Sequence, residues 1–329
     1  MRDFYRNRLK IGALQQISGT GQIIALYGYF AGGFTGARTA NTDRITFSTG
    51  TTAANTVSNL SVARSQMRGI SNKVTYGYVI GGIDGAGTAV ATADRITFST
   101  GVTASNTVSD APTTKNFYGS LSDGVSYGYL VGGQKSGIDT TETLVITFSS
   151  EVTAANTASA ISAATINLFG ISDAINYGYI SGGITAGNII RKVTYRITFS
   201  TKVSSANTAS DLNTARFSSG SISDNSLYGY IAGGETNTSS ASYIATTEKI
   251  TFSTGVFAAS TVSNLSQAKE SMGSSSDGIC YGYLSGGYTG AAITTADRIT
   301  FSTSVTSANT ISDLSVANRL LASLSDYAV

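Results

Sequence analysis

The chain has no histidine and no tryptophan, a single cysteine, a single proline, and charged side chains at only 12% of its 329 positions. Without histidine, and with Cys280 alone, zinc, copper and haem sites lose their usual ligands, and Ser-His-Asp and Cys-His catalysis are excluded. One cysteine makes no internal disulfide. A net charge of +2 provides no long-range field that would select nucleic acid or an anionic membrane, and the only local excess is Arg2, Arg6, Arg8 and Lys10. Met1 to Lys10 is polar and lacks the apolar core of a signal peptide, and no uninterrupted apolar run of about 18 residues is present to span a bilayer. The sequence therefore predicts a soluble chain with no membrane insertion and no nucleic-acid partner. Low charge with one proline also excludes an acidic disordered tail and a collagen-like chain.

What is abundant is repetition. Tyr-Gly-Tyr stands at Tyr27, Tyr76, Tyr127, Tyr177, Tyr228 and Tyr281, each time followed by two residues and Gly-Gly, at steps of 49, 51, 50, 51 and 53. A period near 50 marks one repeat architecture, whose units cannot bury their apolar faces alone. Each unit carries a second motif, Ile-Thr-Phe, beginning at Ile45, Ile96, Ile146, Ile197, Ile250 and Ile299. Period-two alternation puts its Ile and Phe on one face, and the two tyrosines of Tyr-Gly-Tyr on one face with the glycine opposite.

Turn signals such as Asp123-Gly124, Ser99-Thr100-Gly101 and Asp277-Gly278 suit tight hairpins between these strands. Four strands are expected per unit, in the second unit near Arg64 to Ser71, Tyr76 to Gly81, Arg95 to Ser99 and Val102 to Thr107. Helical spacing is not sustained anywhere. The expected fold is all-β: a six-bladed β-propeller of four-stranded antiparallel blades, because radial repetition leaves only short protected edges and buries the aromatic faces between blades.

An apolar strand ending in Gly-Gly, a second strand about a dozen residues later, and a basic residue (Arg64, Lys115, Arg216, Lys269) about twelve residues before the next aromatic strand resemble kelch repeats, over roughly Tyr27 to Val329. The chain departs from that family in having no tryptophan; Asn55, Asn106, Asn156, Asn207 and Asn309 stand where kelch repeats commonly place one. The combination of "YGY..GG", "DRITFST" and "ANTVSNLS..R" also resembles repeats of bacteriophage, especially cyanophage, virion proteins. Copper-radical oxidases that share a kelch propeller are ruled out by the missing histidines.

From each Ile of Ile-Thr-Phe to the next Tyr-Gly-Tyr is always 31 residues, so every length change falls between Gly-Gly and Ile-Thr-Phe, where the segment runs 11, 13, 12, 13, 15 and 11 residues. Variable lengths confined to one loop class fall on one face of a repeat protein, which is often its binding face. A seventh Tyr-Gly-Tyr would begin at position 330, and Ser325-Asp326 keeps the Ser-Asp signature of Ser122-Asp123. The C-terminal strand, about Arg319 to Ser325, is therefore expected to close the first blade beside Tyr27 to Ala31. Two parts follow: residues 1–20, a basic arm or docking segment, and 21–329, the propeller.

Residues used once per repeat are read as structural. The Ser-Asp acids Asp123, Asp173, Asp224, Asp277 and Asp326, with Asn72 in the sixth place, fit hairpin-turn chemistry. Cys280 reads as a small side chain in a strand. The pairs Asp43-Arg44, Asp94-Arg95, Asp297-Arg298 and Glu248-Lys249 read as loop-end or interblade polar contacts. What breaks the symmetry is more informative: in the variable segments Phe34, Arg38, Asp84, Lys135, Arg191, Lys192, Glu235, Tyr243 and Tyr288 are the large, aromatic or charged members among Gly, Ala, Ser and Thr. Aromatic and arginine side chains anchor recognition surfaces, so these nine are the candidate ligand-binding residues.

The expected function is a non-catalytic interaction module with no cofactor and no metal: a structural or adhesive virion component, at a tail fibre or baseplate, binding host-surface polysaccharide or neighbouring virion proteins, and able to form a homo-oligomer. The alternatives are a polysaccharide-acting enzyme using carboxylates near the propeller channel, and an intracellular kelch scaffold.

Overall fold

A computed structural model describes residues 26–239 and 242–326. The expected basic arm, 1–20, lies outside the described residues. The chain is all-β, and its four-stranded antiparallel sheets give it a propeller-like organisation. In the second unit the strands are Arg68–Ser71, Tyr76–Ile80, Ala93–Thr97 and Val102–Ser105, joined in that order. All four strands differ in their bounds from expectation, Tyr76–Ile80 by one residue and Ala93–Thr97 by two at each end. The stretch near Arg64 divides, because Gln66 takes a left-handed φ of 63° and breaks the extended run. Arg64–Ser65 then pairs separately with Ile83–Asp84. Beyond Val102–Ser105, Asn106 begins a 3-10 turn, its amide donating to the Ser109 hydroxyl at 3.0 Å.

Six such sheets occur among the described residues. The first is assembled from both ends of the chain, with Ala322–Ser325 antiparallel to Tyr27–Ala31, Leu324 opposite Tyr29 and Ala322 opposite Ala31. That is the pairing expected from Ser325-Asp326, although the strand starts at Ala322 rather than Arg319 because Leu320 has a left-handed φ of 58°. The Asp of the Ser-Asp motif shows why it returns. Asp123 Oδ1 accepts from the backbone N–H of Val125, Ser126 and Tyr127 at 2.8–2.9 Å, and Asn72, Asp173, Asp224 and Asp277 cap their turns likewise. Asp326 accepts from Leu26 and Tyr27, at 2.8 Å each, so the same cap spans the two ends of the chain. Cys280 lies in one of these turns, exposed, rather than in a strand.

The aromatic faces are buried between sheets. Phe98 stacks on Tyr29 of the preceding sheet with ring centroids 6.0 Å apart, and the pattern repeats as Phe148 on Tyr78, Phe199 on Tyr129, Phe252 on Tyr179 and Phe301 on Tyr230. Phe47 of the first sheet stacks on Tyr283 at 5.9 Å. Each such pair adds to the area it buries. The glycine between the tyrosines leaves room for the neighbour: a Cβ on Gly128 would lie 2.6 Å from Ile70 Cδ1 of the sheet before.

The other tyrosine of each motif is half-buried under a cation. Arg95 lies 4.3 Å above Tyr76, and Arg44, Arg196, Lys249 and Arg298 cover Tyr27, Tyr177, Tyr228 and Tyr281. The third sheet has Val145 where the others place the cation, and Lys202 from the next sheet covers Tyr127 instead, at 3.6 Å. The basic residues of the kelch-like spacing are buried and paired: Arg64 with Asp94 at 2.8 Å, Arg216 with Glu248 at 2.9 Å and Lys269 with Asp297 at 3.1 Å. The expected pairs thus divide: Asp94, Asp297 and Glu248 serve buried cations, Asp43 accepts from Ser315, and the neighbouring arginine or lysine covers a tyrosine ring.

Toward the central axis, six residues form a cycle of backbone hydrogen bonds. Phe117 N–H donates to Gln66 O, Asn167 to Phe117, Ser218 to Asn167, Ser271 to Ser218, Leu320 to Ser271, and Gln66 to Leu320, at 2.7–3.2 Å. All six have φ between 54° and 63°. The second glycine of each Gly-Gly donates outside this cycle, as Gly82 does to Lys115 O at 2.8 Å. At Gly82 only glycine fits, since φ is 102° and a Cβ would lie 2.7 Å from Ser65 O.

Candidate binding face

In each unit the segment of variable length leaves the end of the Tyr-Gly-Tyr strand, next to the start of the innermost strand (Arg68–Ser71 in the second unit, Ala322–Ser325 in the first), so the variable loops gather at one end of the sheets. They are small hairpins: Ile83 pairs with Ala89, Ile184–Thr185 with Ile189–Ile190, Glu235 with Tyr243, and Tyr288 with Ala292. Four of the nine candidate residues come together here. The Tyr243 and Tyr288 rings meet edge to face, 5.8 Å apart at 82°. The Arg319 guanidinium lies 4.1 Å above Tyr288 and 5.3 Å from the Phe34 ring. Phe34 is bridged to Arg319 through the backbone, and Glu235 is bridged to Tyr243.

Two further residues complete the group without having been singled out in the sequence. Arg319 and Glu270 belong to the linkers before the innermost strands, not to the variable segments. Glu270 is bridged to Tyr288. Burial pushes the Glu270 carboxyl up to about 7; the charge of Glu235 adds to this, while Arg319 opposes it. Burial also raises the Glu235 carboxyl and the Tyr243 phenol. The result is a half-buried strip of three aromatic rings, one guanidinium and two carboxylates. Beside Glu235, Phe217 and Ile184 line a depression of about 480 Å³ that runs to Gln134 and Asp139.

The other candidates serve their own loops. Asp84 accepts from Ala86 and Thr88 N–H at 3.0 and 2.9 Å, closing its hairpin. Lys135 pairs with Glu142 at 2.7 Å. Arg38 pairs with Phe34 through the backbone. Arg191 donates its N–H to Gly183 O, and Lys192 is exposed.

The strands Arg68–Ser71, Gly119–Ser122, Phe169–Ser172, Gly220–Ser223, Gly273–Ser276 and Ala322–Ser325 contribute to a cavity lined largely by serines. The hydroxyls of Ser71, Ser122, Ser172 and Ser276 donate to Ser325, Ser71, Ser122 and Ser223 carbonyls at 2.9–3.0 Å, lacing adjacent sheets. At the end away from the variable loops, Lys73 Nζ donates to Asn225 Oδ1 at 3.3 Å beside a cavity of about 150 Å³. Burial pushes the Lys73 ammonium down to about 8, against the pull of Asp123 and Asp173. Lys73 stands where the other turns have Gly124, Ala174, Asn225 and Gly278, and that departure from the repeat was the sequence signal for it.

No family model matches the chain, and no curated protein matches it. Among the described residues, no helix is long and apolar enough to cross a membrane.

Proposed function

We propose that the chain is a closed, six-bladed, kelch-like β-propeller that serves as a non-catalytic interaction module of a phage particle, at a tail fibre or baseplate. Its variable-loop face holds a host-surface polysaccharide or a neighbouring virion protein. The cyclic stacking of Phe on Tyr and the axial cycle of backbone hydrogen bonds support six blades and their closure. The repeat spelling supports the phage setting.

The observation that carries binding is the convergence of Phe34, Tyr243, Tyr288 and Arg319 from loops far apart in sequence. Aromatic faces take the C–H faces of pyranose rings, while a guanidinium and carboxylates orient hydroxyl groups, so the strip suits saccharide better than a flat protein epitope. The test is retention of a panel of bacterial envelope polysaccharides by the purified protein and by Tyr288→Ala. The expected result is binding by the parent, weakened at least about tenfold in a variant with unchanged melting temperature. Equal binding by both, or none by the parent, refutes the reading.

The Glu235 and Glu270 pair favours a second reading, an enzyme acting on polysaccharide, since two neighbouring carboxyls raised by burial, Glu270 to about 7, are the kind of groups that take acid and base roles. New reducing ends released by the parent and abolished by Glu270→Gln would establish it over simple adhesion.

A further inference from the structure

The innermost strands start at equivalent positions: Arg68, Gly119, Phe169, Gly220, Gly273 and Ala322, opposite Ile80, Val131, Ser181, Ala232, Ser285 and Ala31. Arginine occurs there once. Arg68 lines a cavity of about 130 Å³ at the axis, at the mouth on the variable-loop side, together with Ser120, Ser219, Ser221, Ser274 and Ser323. Among the described residues its guanidinium has no carboxylate partner and no hydrogen bond; the bonds it makes with the Tyr118 hydroxyl use only its main chain. A partly buried guanidinium without an acid is costly unless an anion or water completes it. Burial lowers its affinity for its proton, with only Tyr118 in opposition.

The serines around it are not equivalent. Ser120, Ser221 and Ser219 spend their hydroxyl protons on Gly69, Gly170 and Gly233 carbonyls at 2.9–3.1 Å. Ser274 and Ser323 do the reverse, accepting the N–H of Ser221 at 3.1 Å and of Ser274 at 2.8 Å, so their own protons remain to be donated. The mouth therefore presents one guanidinium and two hydroxyl donors around a space that holds several waters or one small oxyanion. We infer that this axial mouth is an anion site taking a tetrahedral or carboxylate oxyanion, with Arg68 supplying the charge and Ser274 and Ser323 the neutral hydrogen bonds. Arginine's planar fork matches two oxygens of such a group. The inference does not rest on the polysaccharide reading, because the aromatic strip contributes none of these donors.

The test uses the full chain and isothermal titration with sodium sulfate, sodium phosphate and sodium glucuronate, each against sodium chloride at matched ionic strength. Arg68→Gly is the informative variant, because Gly119, Gly220 and Gly273 show that the fold accepts glycine at this register. Saturable binding of one anion per chain is expected, at least about tenfold weaker in Arg68→Gly and weakened in Ser274→Ala/Ser323→Ala. Sulfate or phosphate ahead of glucuronate identifies a free inorganic anion; the reverse order identifies the acid group of a sugar. Absence of saturable binding by the parent, or equal binding by Arg68→Gly with its fold intact, overturns the inference.

Discussion

The buried ion pair of the fifth sheet offers a test that the protein itself has already half performed. Glu248 accepts from Arg216 at 2.9 Å and from the N–H groups of Asn213 and Thr214 at 2.7 and 3.0 Å, with both charged side chains almost fully buried. In the fourth sheet the equivalent positions are Thr165, Tyr195 and Ser162: cation and acid are both gone, and the Tyr195 and Ser162 hydroxyls pair at 3.0 Å. Glu248→Ala removes the acid alone and strands the guanidinium, which keeps the Thr246 and Gly233 carbonyls at 2.8 and 3.2 Å and the Thr246 hydroxyl at 3.3 Å. Breaking a buried pair in this way costs about 3–5 kcal/mol, and the two surviving carbonyls place the loss near the lower end. At about 2 °C per kcal/mol for a large domain, the melting temperature should fall by roughly 6 °C. The triple variant Asn213→Ser/Arg216→Thr/Glu248→Tyr copies the fourth sheet's neutral solution and should lose less than half as much, because replacing both charges leaves no ion unpaired. Urea unfolding with an unchanged m-value separates stability from a change in the unfolded state. A cost under about 1 kcal/mol for Glu248→Ala, or a triple variant weaker than it, would refute the reasoning.

Two further outcomes follow from the same geometry. Burial raises the Asp326 carboxyl from its ordinary 3.8 to about 7, so the folded state holds this proton more tightly than the unfolded chain and stability should fall as pH rises from about 4 to 7. Asp326→Asn, which places there the amide that Asn72 already supplies in the second turn, should flatten that slope in urea titrations, leaving the part due to Glu270. Gly128→Ala would drive a methyl group to 2.6 Å from Ile70 and 2.9 Å from Ile146, and should lower stability by about 1–3 kcal/mol in the same assay, whereas Gly137→Ala, with open space but a φ of 81°, tests backbone strain alone.

The repeat, the all-β class and the pairing of the last strand with the first were legible in the sequence, because each depends on motifs that recur at a fixed spacing: Tyr-Gly-Tyr, Ile-Thr-Phe and Ser-Asp. The Ser-Asp acids were legible for a local reason, since one carboxylate can cap a hairpin only within a few residues of itself. The axial cycle was not. Its members are Gln66, Phe117, Asn167, Ser218, Ser271 and Leu320, and a left-handed backbone held by its neighbours' carbonyls leaves no common side chain to find. Nor was the aromatic strip legible as a whole. Phe34, Glu235, Tyr243 and Tyr288 stood out as large residues among small ones, yet by the same criterion so did Asp84 and Lys135, which only hydrogen bonds and an ion pair assign to their own loops. Arg319 and Glu270 lie in linkers, and their place beside Tyr288 depends on which sheets are neighbours. Local chemistry and period thus determined the frame, while tertiary structure alone decided which loops meet, since residues brought together across separate units share no spacing in the chain.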